Sequence, residues 1–204
     1  MANIYGSSDL TLAALSARDS SEGLFKDRNP LCNVPLTLHN GLEVSGYKTW
    51  EEEYDSPAAL LNTRAWVFQE LVASPRTLSY GSSGIYWQCF QQEATERNIA
   101  GSTHNGSSQF RAKGKLQTLL APLKDAYATW HFLFYWNEFL KFYTKRALTF
   151  HSDKLATISG LTSLLEAKHS LTFHAGLWKK YLLDQLLWEA DTPQPRPKSS
   201  TFPS

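Results

Sequence analysis

Between Ala65 and Val72 the apolar side chains Ala65, Phe68 and Val72 keep the three-and-four spacing of one helix face, while Trp66 and Glu70 stand four apart on another. Asn62 or Thr63 offers a side-chain oxygen to the open amides of the first turn. Ser74-Pro75 ends the helix, because proline disfavours helical geometry in the residue before it. The period then changes from 3.6 to 2. Leu78 and Tyr80, followed by Ile85, Trp87 and Cys89, alternate with polar residues on either side of Gly81-Ser82-Ser83-Gly84, which predicts a half-buried β-hairpin. Upstream, Asp9 to Leu15 is apolar enough for a buried strand. Ser16 to Phe25 reads as a short turn or loop, and Pro35 to Val44 alternates around Asn40-Gly41, predicting a hairpin closed by a type I′ turn.

Downstream the pattern becomes helical. Leu116, Leu119, Leu120, Leu123, Tyr127 and Trp130 predict one amphipathic helix, bent or broken at Pro122, and Trp136, Phe139, Leu140 and Tyr143 predict a second or a continuing one. Ser152 or Asp153 is expected to cap a helix that turns Leu155, Ile158, Leu161, Leu164 and Leu165 inward. A last helix is expected over 177–190, with Trp178, Leu182, Leu186 and Trp188 on its core side. The fold class is therefore α+β: strands and hairpins around one central helix, then a mostly α-helical region. The organisation expected is a first unit over 1–97, a Gly/Ser-rich linker over 98–112, a helical region over 113–190, and a disordered Pro-rich tail over 191–204.

Composition narrows the function classes. The chain has 204 residues and a formal charge of +1, with the charges scattered; a nucleic-acid surface needs a basic face that is not present here. Cys32 and Cys89 form no C-x-x-C pair, and the six histidines lack metal-ligand spacing, so neither a metal nor another cofactor is expected. Met1 to Tyr5 has no secretory pattern. The most apolar run, Trp130 to Tyr143, is too short and too polar to span a bilayer. A cytoplasmic protein with a protein partner is the expectation.

Chemistry concentrates at Leu61-Asn62-Thr63-Arg64-Ala65-Trp66-Val67-Phe68-Gln69-Glu70 and the hairpin after it. Polar groups among so many aromatics are costly unless they satisfy one another. Arg64, Trp66, Gln69, Arg76 and Trp87 are read as a structural polar network, with Arg64 reaching Glu93 or Glu96 across the hairpin. The competing reading makes Glu70 or Glu96 an acid, base or ribose contact in a cleft. Trp66, Tyr86 and Trp87 fit a core as well as a base-stacking wall. Gly81-Ser82-Ser83-Gly84 lacks the spacing of a nucleophile elbow, and Asp153 reads as a cap before it reads as a catalytic carboxylate.

These residues resemble the fungal heterokaryon-incompatibility (HET) domain family. Its signature is similar to Leu61 to Glu70, and Gly23-Leu24-Phe25, Ser74-Pro75-Arg76 and Tyr86-Trp87-x-Cys89 with Glu96 continue the likeness. Tyr143-Thr144-x-Arg146, Asp153-Lys154-Leu155 and Ala175-Gly176-Leu177-Trp178 look like the helical region such proteins carry downstream. The family's Tyr-x-x-Leu-Ser-Tyr-x-Trp-Gly and Trp-Ile-Asp-x-x-Cys-Ile-Asn-Gln segments are missing, so the chain resembles an internal or C-terminal piece, with 1–97 as the C-terminal part of a HET-like domain. The resemblance implies non-self recognition and regulated cell death through protein contacts. A distant likeness of the family to Toll/interleukin-receptor-type folds implies the alternative of an NAD-type nucleotide hydrolase; a non-functional remnant is a third expectation.

Overall fold

The computed structural model describes residues 2–28, 36–44, 59–96, 98–103, 111–122 and 128–187. Cys32, the Asn105-Gly106-Ser107 sequon, Trp188 and the tail over 191–204 lie outside the described residues. The class is α+β, with most strands early and most helices late. The elements in order are α1 (Ala2–Gly6), β1 (Thr11–Ala14), β2 (Leu36–Thr37), β3 (Glu43–Val44), α2 (Ala65–Ala73), β4 (Arg76–Tyr80), β5 (Ile85–Cys89), β6 (Gln92–Thr95), β7 (Ser102–Thr103), α3 (Arg111–Leu120), α4 (Ala128–Thr144), α5 (Ala156–His169), β8 (Phe173–His174), β9 (Leu177–Trp178) and α6 (Leu182–Gln185).

Five strands form one mixed sheet in the order β1-β4-β5-β6-β7. The strand expected over Asp9 to Leu15 forms as β1, parallel to β4, but among the described residues it is the sheet edge: Ala13 and Leu15 are buried while Leu12 is 53% exposed. The β4–β5 hairpin pairs as expected, with Leu78 opposite Trp87 and Ser79 opposite Tyr86. Side chains opposite one another share a sheet face. One face therefore carries Ala13, Thr77, Ser79, Tyr86, Gln88 and Glu93, and the other Leu12, Leu78, Tyr80, Ile85, Trp87 and Ala94. The more polar face is the buried one: Thr77, Ser79 and Tyr86 are all under 9% exposed. The apolar face is half-buried, and the Phe25 ring lies edge-on to Tyr80 there.

Helix α2 is buried from two sides. Val67 and Leu71 pack on Ala13, Leu15 and Tyr86 of the sheet side. Ala65, Phe68 and Val72 point the other way, into a cluster with Leu116, Phe132, Trp136, Phe139, Ile158 and Leu161 of α3, α4 and α5. The stretches expected as 1–97 and 113–190 thus share one core. Aromatic rings fill it: Phe68 sits 5.0 Å from Phe139, and Trp136 is 5.2 Å from Trp178 in an edge-on pair.

Several local expectations are corrected. Neither Asn62 nor Thr63 caps α2. Residues Leu60–Thr63 wind as a 3-10 turn, and the open end of the helix is closed by another segment: Ala65 N–H donates to the Ala147 carbonyl at 3.0 Å, while Ala147 N–H donates to the Thr63 carbonyl at 2.6 Å. The Asn40-Gly41 hairpin forms, but only Gly41 takes a positive φ (77°), and a type I′ turn needs two. Instead Gly41 N–H donates to Leu38 O and Leu38 N–H to Leu42 O, which closes a three-residue loop. The helix expected from Leu116, bent or broken at Pro122, does end there, its last residue being Leu120. Ser152 and Asp153 lie in a 3-10 turn rather than capping α5, and Leu155 (47%) and Leu164 (36%) face outward.

The last predicted helix shrinks to α6. Leu177 and Trp178 are instead a strand, because Ala175 (φ 50°) and Gly176 (φ 94°) turn the chain back on Phe173 and His174. Trp178 is fully buried, whereas Leu182 and Leu186 are exposed. Buried Gln185 fixes this corner, its amide nitrogen donating to the carbonyls of Trp178 and Tyr181, each at 3.1 Å.

Candidate functional site

The residues singled out in sequence surround α2 and the β4–β5 hairpin, but they do not converge. Arg64 precedes the helix with an exposed side chain, its backbone bridged to Ala147. Trp66 is half-buried and Gln69 is 3% exposed. Glu70 is half-buried against α1, where the Tyr5 hydroxyl hydrogen-bonds to it; burial, then this bond, raises the Tyr5 pKa. Arg76 is exposed and donates from one guanidinium nitrogen to the Asp9 carbonyl at 3.3 Å. Trp87 lies on the half-buried face of the sheet between Leu78 and Ala94.

Glu96 does not meet Arg64. Arg28 holds it with both carboxylate oxygens, at 2.9 and 2.6 Å from one guanidinium nitrogen. Among the described residues no hydrogen bond or ion pair joins Glu70 to Glu96, or Arg64 to either. Each carboxylate is engaged with its own structural partner, so the pair has no shared acid–base geometry. No group of three His, Cys, Asp or Glu side chains gathers among the described residues in a way that would hold a metal ion.

Two cations do what Arg64 was expected to do. Arg146 donates to the Asn62 carbonyl and lays its guanidinium over the Phe68 ring at 5.8 Å, tying the chain after α4 to the start of α2. The sequence signal for it was the Arg146 of Tyr143-Thr144-x-Arg146, a motif assigned only to the downstream helices. Lys113, on α3, is 1% exposed and donates to the Thr77 hydroxyl at 2.9 Å, on the buried face of the sheet. Desolvation lowers its pKa to about 7, offset in part by the charge of the Cys89 thiolate form. Its signal was also present: Ala112, Lys113, Leu116 and Leu119 occupy one stripe, a lysine inside an apolar helix face.

Glu138 gives a contrast on the solvent side. Lys141 and Lys115 both donate to it, at 2.8 and 3.0 Å, and hold its carboxyl below the usual range. The cluster joins α3 to α4 through Lys115, which is largely buried, with the exposed Lys141 on its outer side.

Residues 1–70 match the family model described as Heterokaryon incompatibility protein (HET). This segment is similar to that family. It takes in α1, β1, the β2–β3 hairpin and α2 as far as Glu70, so it contains Arg64, Trp66, Gln69 and Glu70 and stops before Arg76, Trp87 and Glu96. No curated protein and no solved structure matches the chain. In the matched segment α2 is thus the part buried from both sides, and its apolar positions are its packing surfaces. Among the described residues no helix is long and apolar enough to cross a membrane.

Proposed function

We propose that the chain is a heterokaryon-incompatibility-type module, working in the cytoplasm in non-self recognition and regulated cell death through contacts with a protein partner. The observation that carries this reading is how the polar residues of the HET-type signature are used. Glu70 is held by Tyr5, Gln69 is buried within the fold, and Glu96, beyond the signature, is held by Arg28, so the signature reads as a brace and not as a reaction centre. Acid–base chemistry needs a carboxylate within reach of a substrate proton, with its pKa shifted toward the working pH; the two candidate carboxylates are spent on holding elements together.

The test is induced expression of the chain in fungal cells, scored by viability. Growth arrest is expected from the wild type. Glu70→Gln and Glu96→Gln should arrest growth equally well, since glutamine keeps an acceptor for Tyr5 and Glu96 is exposed. Wild-type expression without effect on viability contradicts the death-module reading. Cleavage of a nicotinamide nucleotide by the purified chain, lost in either Gln variant, would replace it with the hydrolase reading.

A further inference from the structure

Lys113 carries a consequence that the HET-type reading does not use. Its ammonium form has three N–H donors, yet the amine finds one hydroxyl, Thr77 Oγ1 at 2.9 Å, and the Phe90 ring, whose centroid is 5.9 Å away. No carboxylate among the described residues forms an ion pair with it. A buried cation without a counter-charge is costly, whereas a neutral amine bound to one hydroxyl is not.

The groups on the elements around it leave that imbalance in place. On β4 there is Thr77, with Arg76 exposed at the strand start. On β5 Cys89 is a free thiol, whose thiolate form would offset the desolvation of Lys113 only in part. On β6 Glu93 shares the sheet face of Thr77 through Gln88. Glu70 of α2 is turned to Tyr5, Glu138 of α4 is taken by Lys115 and Lys141, and His169 of α5 bonds the Leu119 carbonyl at 2.6 Å.

We propose that Lys113 is a proton-operated latch: neutral, it pins α3 to the buried face of the sheet through Thr77, and on taking up a proton it favours release of α3 from that face. The direction follows from linkage. With the docked amine at about 7 and a solvated lysine at about 10.4, the opened state binds the proton more strongly throughout the interval. Raising the pH from 7 toward 10 therefore stabilises the docked state, and lowering it through that window favours opening. Below about 7 both states are protonated and the effect levels off.

Hydrogen exchange of the α3 amides, corrected for intrinsic rates, tests this on the full chain. Opening of α3 should rise about tenfold per pH unit as pH falls from 9 to 7.5 and flatten below 7. In Lys113→Met, which keeps the volume without the charge, opening should not follow pH in that window. A flat wild-type profile, or the same slope in Lys113→Met, overturns the latch. The wild type alone provides a second readout: the Lys113 Cε resonance should titrate near neutral pH in a ¹³C-lysine sample, and a midpoint above about 9.5 overturns the proposal even if the variant fails to fold.

Discussion

At the scale of residues, it is Arg146 and not Arg64 whose guanidinium ties another segment to α2. Arg64 was expected to meet Glu93 or Glu96 across the hairpin because Glu70 does not share its helix face, but a missing partner on one face does not fix where a side chain goes. It stands at the open end of a helix, and that end is closed by backbone from Ala147, which leaves the guanidinium in solvent. Arg146, eighty-two positions later in the chain and outside the HET-type match, makes the tie through the Asn62 carbonyl and the Phe68 ring. A charged hydrogen bond of this kind is worth about 1.5–3 kcal/mol. Arg146→Met should lower stability to urea by about that amount, whereas Arg64→Met should change it by less than about 0.5 kcal/mol, as exposed sites do. Equal effects of the two substitutions would show that Arg146 is no tie.

At the scale of elements, periodicity located most segments and was weakest where turns decide. The β4–β5 hairpin, α2, α4 and α5 were legible because each carries a long, consistent period. The strand at Leu177-Trp178 was read as helix because Trp178, Leu182 and Leu186 keep helical spacing, and the reversal at Ala175-Gly176 outweighs that pattern. Two consecutive left-handed residues commit the chain to a tight hairpin whatever follows. Asp153 and Ser152 failed as caps for a related reason: a 3-10 turn already occupies their place, and Thr157 bonds back to the Asp153 carbonyl at 3.1 Å. At the other end of the sheet, Gly101 has φ 73°, and a Cβ there would lie 2.6 Å from the Glu93 carbonyl oxygen. Gly101→Ala should therefore unseat β7 and cost about 1–3 kcal/mol. Exchange at the Ser102 and Thr103 amides should accelerate while β4–β5 stays protected; unchanged exchange there would refute the close approach.

At the scale of the molecule, the α+β class was legible and the direction of burial was not. Alternation in β4 and β5 shows that two faces differ, but it cannot say which faces inward. Leu78, Tyr80 and Trp87 pointed to an apolar inner face, yet Thr77, Ser79 and Tyr86 are the side chains covered by the helices. Lys113 of α3 bonds one of the hydroxyls on that face, Thr77 Oγ1. The candidate site was legible as a place and not as a chemistry: Glu70 is turned to Tyr5 of α1, Arg76 to the Asp9 carbonyl ahead of β1, and Arg64 to solvent. What this leaves at the centre is α2, with Val67 and Leu71 on the sheet and Ala65, Phe68 and Val72 in the helical core.

That central claim is tested most directly by hydrogen exchange on Phe68→Ala. Removing a buried phenylalanine costs about 3–5 kcal/mol. If α2 joins sheet and helices into one unit, protection should fall by the same factor in the β4–β5 amides as in those of α4 and α5. A fall confined to α4 and α5, with the β4–β5 hairpin as protected as in the wild type, would contradict it.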